Sequence, residues 1–272
     1  MQLRSLDVSE NKLGHDVPIK LGKLEHLSYL RLACNQFVGS SLRTIASHGM
    51  KLKVLNISNN IGIDDDFLVF VQNFYTRDIP RGMSRALEVL DMSNCSLSEQ
   101  IPAGFFSHYC ENLNIFHADD NDLFGSINLT EIQRLSVFTA RRNRMFWTLD
   151  VPESKPEFVP YDESTIPRLQ HLDLSFNELE ASIPTFIGHL TTLTKLELQG
   201  NGIAGQLPAA LGKLDKLVVL DVSENHFEGT LPSELGDCTS LESLLVHDNR
   251  LIGTVPTELF QLSRLRTSMS ND

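Results

Sequence analysis

Three histidine–acid pairs have the residue types and spacing that could do chemistry: His117 with Asp119, His171 with Asp173, and His247 with Asp248. An imidazole next to a carboxylate is the arrangement of a general base and the group that orients it. A hydrolytic mechanism needs more than this pair, and the rest is missing from the sequence around them. There is no elbow serine, no reactive-cysteine pattern and no metal-ligand spacing. The glycines recur at fixed places in a repeat and form no phosphate-binding loop. The sequence therefore offers no catalytic residue, no cofactor-binding residue and no metal ligand, and it reads as a non-enzyme. The run Asp64, Asp65, Asp66 precedes FLVFVQNF and reads as a helix cap. A calcium loop would need further oxygen ligands at set intervals, and none follow.

The remaining reactive groups point the same way. The four cysteines are Cys34, Cys95, Cys110 and Cys238; they form no CxxC or zinc spacing and read as free thiols. Net charge is -12, which argues against nucleic acid as a partner. No run of 18 apolar residues is present, so membrane insertion by this chain is not expected. Three sequons begin at Asn56, Asn94 and Asn128, and these would accept glycans in a secreted chain.

The frame that positions these residues is a repeat. Residues 193–216 read LTKLELQGNGIAGQLPAALGKLDK, and the pattern LxxLxLxxNxIxGxLPxxLxxLxx recurs every 24 residues from Leu169, Leu193, Leu217 and Leu241. Looser copies start at Leu3, Leu27, Leu52, Leu87, Leu113 and Leu135, making ten units and a polar remnant from Leu265. The whole chain, 1–272, reads as a single repeat domain, with insertions near 61–86 and 146–168. Within a unit, Leu193, Leu196 and Leu198 suit a short strand buried on one face, with Lys195, Glu197 and Gln199 outward. Asn201 carries two N–H donors and an acceptor that can satisfy the turn backbone. Gly205 permits a tight backbone turn, and Pro208 fixes an extended one. Leu207, Leu211 and Leu214 close the core from the far side. One unit cannot bury its own apolar face, but a stack of units can.

These residues resemble the plant-type leucine-rich repeat, most plainly at Ile183-Pro184, Gly205-Gln206-Leu207-Pro208, Gly229-Thr230-Leu231-Pro232 and Gly253-Thr254-Val255-Pro256. The resemblance implies an α/β leucine-rich-repeat solenoid. It would be a right-handed curved superhelix, with a parallel β-sheet on the concave face and loops, 3-10 turns and short helices on the convex face. It also implies a protein- or peptide-binding module, like the ectodomains of receptor-like kinases and receptor-like proteins. A self-contained intracellular scaffold is the other reading.

Ten strands at about 4.8 Å spacing give a sheet of roughly 45 Å whose open face suits another macromolecule. On that face the expected partner-binding residues are His117, Asp119, Asp120, Arg141, Arg142, His171, Asp173 and Phe176, with Trp147 in the adjoining insertion. Arginine and aromatic residues concentrate binding energy at interfaces. Pairing of Arg141 and Arg142 with Asp119, Asp120 and Asp173 across strands is the competing expectation. The first unit is a full repeat with no capping element before it. That end should be covered by upstream residues or by a second chain, giving a dimer there. The chain is then extracellular or membrane-associated if it is part of a receptor, and cytoplasmic if Met1 is its true start.

Overall fold

A computed structural model describes residues 3–39, 45, 51–63, 86–102, 105–106, 110, 112–132, 134–147 and 168–266. Asp64, Asp65 and Asp66 lie outside them, as do most of both insertions and the polar remnant beyond 266. All ten expected strands form, each three residues long. They are β1 (Ser5–Asp7), β2 (Tyr29–Arg31), β3 (Val54–Asn56), β4 (Val89–Asp91), β5 (Ile115–His117), β6 (Val137–Thr139), β7 (His171–Asp173), β8 (Lys195–Glu197), β9 (Val219–Asp221) and β10 (Ser243–Leu245). The chain forms two compact units, Met1–Ser126 with Thr139–Arg144, and Ile127–Phe138 with Met145–Asp272.

In the first unit β1 to β5 pair in parallel and in chain order, with Leu6, Leu30, Leu55, Leu90 and Phe116 in one row. Leu30, Leu55, Leu90 and Phe116 are fully buried, and each such side chain contributes about 1.5–3 kcal/mol. Behind them Phe105, Phe106 and Phe116 meet edge-to-face, with ring centroids 4.9 to 6.0 Å apart. In the second unit β7 to β10 pair in the same way, with Leu172, Leu196, Leu220 and Leu244 in one row. The row behind them comes from 3-10 turns at Thr185–His189, Ala209–Lys213, Ser233–Asp237 and Thr257–Gln261. Each turn follows a proline whose carbonyl accepts the first turn bond, as Leu211 donates to Pro208 at 3.0 Å. Ile187, Leu211, Leu235 and Leu259 point inward from these turns.

The asparagine column does what the sequence asks of it. Asn225 Nδ2 donates to the carbonyls of Leu198, Ser223 and Val222 at 2.9, 2.9 and 3.3 Å, and its Oδ1 accepts from the Ile203 amide at 3.0 Å. The same bonds recur at Asn35, Asn60, Asn121, Asn143, Asn201 and Asn249, joining each repeat to the one before it. Cys95 stands in this column, and its thiol donates to the Ile57 carbonyl at 3.2 Å, replacing the amide's donor.

The strands end early for a backbone reason. The residue before each column position is left-handed in all ten repeats: Glu10, Cys34, Asn59, Asn94, Asp120, Arg142, Phe176, Gly200, Glu224 and Asp248, with φ from 50 to 68°. A left-handed residue breaks the extended run and turns the chain out of the sheet. Asp120, Arg142 and Phe176, expected as outward strand positions, are therefore turn residues. Gly205, at φ 84° within the short strand Ala204–Gln206, takes the backbone conformation closed to most residues, and His15 fills the corresponding slot of the first repeat at φ 63°.

Candidate functional site

In the first unit His117 of β5, Asp119 just beyond it and Thr139 of β6 form a directed hydrogen-bond chain. Asp119 can only accept as a carboxylate, so the Thr139 hydroxyl donates to its Oδ2 at 2.9 Å. With its one proton committed, Thr139 Oγ1 must accept from His117 Nδ1, 2.8 Å away. This fixes the protonated nitrogen of His117 as Nδ1. The other Asp119 oxygen accepts the Arg141 amide at 2.8 Å, and the Asp119 amide donates to Ser93 Oγ at 3.2 Å. Thr139 is buried, so the chain is anchored below the surface.

Beside this chain lie two exposed ion pairs, one in the turns and one at the start of the strand Arg144–Trp147. Arg142 Nη1 lies 3.3 Å from Asp120 Oδ1, and Arg144 Nη2 lies 3.0 Å from Asp122 Oδ2. The Arg144 guanidinium also sits 5.3 Å from the centre of the exposed Phe124 ring. About half of each side chain in the Arg142–Asp120 pair is in water, so the pair contributes at most about 1 kcal/mol. The expected pairing of Arg142 with Asp120 therefore exists, and it leaves both groups at the surface.

The second unit holds His171, Asp173 and Phe176. His171 Nε2 lies 2.7 Å from Glu197 Oε2, one strand over. Asp173 Oδ1 accepts from the Ser175 hydroxyl at 2.6 Å and from its amide at 2.9 Å. Asp7, Asp91 and Asp221 each accept the amide of a serine two residues on in the same way, so this use of Asp173 belongs to the repeat. Burial pushes the Asp173 carboxyl above the usual carboxylate range, working against the Ser175 bonds, and the charge of Glu197 adds to it. Phe176 lies over Gly200 of the next repeat, where any β-carbon would fall within 2.5 Å of the ring. Trp147 ends the strand Arg144–Trp147, and its side chain lies outside the described residues.

Glu197 is the site residue that sequence reasoning left out. It lies 24 residues after Asp173, one repeat on, and the register sets the two opposite each other. His247 and Asp248 contact each other at 2.8 Å and are both exposed. Of the three sequon asparagines, Asn94 is exposed. Asn56 is half-buried, and its amide is held by Asp91 Oδ2 at 3.0 Å; Asn128 is also half-buried. The four cysteines are free thiols, as expected; Cys34 is exposed and the other three are buried. Among the described residues, no helix is long and apolar enough to cross a membrane.

Comparison with known proteins fits this geometry. Leucine Rich Repeat family models match residues 86–108, 168–190 and 216–238, and a further one matches 189–206. Receptor-like protein 35 of Arabidopsis thaliana is 29% identical over 217 residues, 68% of this chain and 23% of that protein. Receptor-like protein 53 of the same plant is 28% identical over 211 residues, 68% of this chain and 22% of that protein. The chain is thus similar to plant proteins of the leucine-rich-repeat, receptor-like kind. The leucine-rich-repeat chain spans about a quarter of the length of these relatives. Among solved structures, PEPR1-AtPEP1 superposes with a TM-score of 0.74 at 29% identity, covering 96% of this chain and 34% of that one. The Arabidopsis receptor kinase HAESA, solved with the peptide hormone IDA and the co-receptor SERK1, gives 0.78 at 25% identity, covering 96% and 40%. The fold is the leucine-rich-repeat solenoid.

Proposed function

We propose that this chain is the ligand-recognition part of a receptor-like protein, a non-enzymatic module that takes a protein or peptide on the open face of its strands. The observation that carries this reading is the contrast between the two faces of each strand. Inward residues repeat every unit, while the outward ones vary: Asp7, Arg31, Asn56, Asp91 and His117 occupy one register row of the first unit. A surface kept only for solubility needs no such variety, whereas recognition needs a distinct group at each position. The receptor-like relatives and the peptide-hormone complex of HAESA support the same reading. An extracellular or membrane-associated setting goes with it, and a glycan on Asn94 or Asn128 of the natively expressed protein would bear that out.

Binding in the first unit is proposed to centre on His117, Asp119, Asp120, Arg141 and Arg142. His117 is held through Nδ1 and is half-buried, and Arg142 is at the surface in a weak pair. The test is selection from a random peptide library displayed on phage, followed by calorimetry of the selected synthetic peptides against wild type and Arg141→Glu/Arg142→Glu. Affinity should fall at least tenfold in the double variant, with the thermal midpoint nearly unchanged. Unchanged affinity would overturn the placement, and failure to select any saturable binder would overturn peptide recognition itself.

A further inference from the structure

The strand face of the second unit assembles a ligand set that the linear sequence separates. His171 and Asp173 are two residues apart on β7, so their side chains leave the same face of the sheet. Glu197 lies opposite Asp173 on β8. One ligand atom from each of the three lies within 4.8 Å of the other two. Zinc bonds to imidazole nitrogen and carboxylate oxygen are about 2.0–2.2 Å long, which sets tetrahedral ligand atoms about 3.3 Å apart. The His171–Glu197 distance of 2.7 Å and the 4.8 Å limit bracket that spacing, so small rotamer changes reach it.

The surroundings favour a dication. The His171 and Glu197 side chains are only 28% and 26% exposed, so their ligand atoms are partly withdrawn from water. Asp221 lies next in the register row after Glu197, giving three carboxylates on three neighbouring strands. The one cation in the adjoining row is Lys195, the register partner of His171, and its side chain is exposed. One strand position beyond Glu197 on the same face, Gln199 Oε1 is shut off from water and accepts no hydrogen bond from the described residues. Asp173 holds Ser175 through Oδ1 and so has its second oxygen to offer.

We propose that His171, Asp173 and Glu197 form a divalent transition-metal site suited to Zn²⁺. Nε2 of His171 and one oxygen from each carboxylate are the protein ligands. A single imidazole with two carboxylates is a borderline donor set, selecting zinc-like ions over calcium, which takes oxygen ligands throughout. Three protein ligands leave the solvent side of the ion for water or for a donor group from a bound partner. The site is independent of the placement in the first unit, since it uses residues of the second unit alone.

The experiment is calorimetric titration of the chelator-stripped full chain with ZnCl₂, in wild type and in His171→Gln, Glu197→Gln and His247→Gln. The expected result is one equivalent bound to wild type. Affinity should fall at least tenfold in His171→Gln and Glu197→Gln and stay within twofold in His247→Gln, with all four chains giving the same circular dichroism. Cobalt(II) bound to wild type should give the intense visible bands of a four- or five-coordinate ion, a readout that needs no variant to fold. Absence of saturable zinc binding up to about 1 mM would overturn the proposal. So would affinity in His171→Gln and Glu197→Gln within twofold of wild type, or a cobalt spectrum no stronger than that of the aqueous ion.

Discussion

Asn225→Ala probes the hydrogen-bond column directly, and its cost can be worked out from the bonds on either side. The Asn225 side chain makes four hydrogen bonds while only 4% exposed. Three of them are donations to carbonyls that keep another donor when the amide is removed. Leu198 O still accepts from Asn201, Val222 O from Asn249, and Ser223 O from the Gly200 amide. The fourth is different, because Ile203 is fully buried and its amide loses the acceptor it uses. One stranded buried N–H costs about 1–3 kcal/mol, and the lost donations add about 1 kcal/mol, so the expected loss is about 2–4 kcal/mol. Asn11 is the internal control. It holds the same repeat position but is exposed, and among the described residues it donates only to the carbonyls of Val8 and Ser9. Asn11→Ala should cost below about 1 kcal/mol. Urea unfolding followed by far-ultraviolet circular dichroism measures both, provided the slope of the transition is the same in all three chains. Equal losses for the two variants, or a loss under about 1 kcal/mol for Asn225→Ala, would refute the reasoning, because burial of a backbone partner is what separates them.

Two further outcomes are expected. Gly212→Ala puts a β-carbon 2.8 Å from the Glu234 carbonyl carbon and should lower stability by about 1–3 kcal/mol. Gly202→Ala meets nothing nearer than 3.4 Å and should fall within about 1 kcal/mol of wild type; thermal melts distinguish them. Iodoacetamide at pH 8 should label one thiol, Cys34, in the folded protein and all four in denaturant, counted by intact mass. Burial raises the Cys95 and Cys110 thiols to about 12 and Cys238 to about 11, so the reactive thiolate is scarce at pH 8, and scarcest at the first two. Labelling of a buried thiol at the rate of Cys34 would contradict this.

The repeat was legible because its physics is local and periodic. In the four regular repeats from Leu169, leucine at the central strand position, asparagine at the turn and proline before the 3-10 turn each do one job, and each does it again 24 residues later. Cys95 keeps the column going: it stands where a donor is needed, and its thiol supplies one. Strand length was not legible. Alternation of side chains says nothing of where the backbone turns left-handed, so Asp120, Arg142 and Phe176 read as strand when they are turn. The stacking of Phe176 on Gly200 and the Thr139 hydroxyl linking His117 to Asp119 depend on residues 20 to 24 positions apart that only strand register brings together. The sequence by itself determined the fold, because a repeating apolar face has one way to be buried, which is against a copy of itself. Only the tertiary structure decided which polar groups meet. A three-residue strand presents one or two outward side chains, and the cluster of His171 with Asp173 and Glu197 is completed from the next strand over.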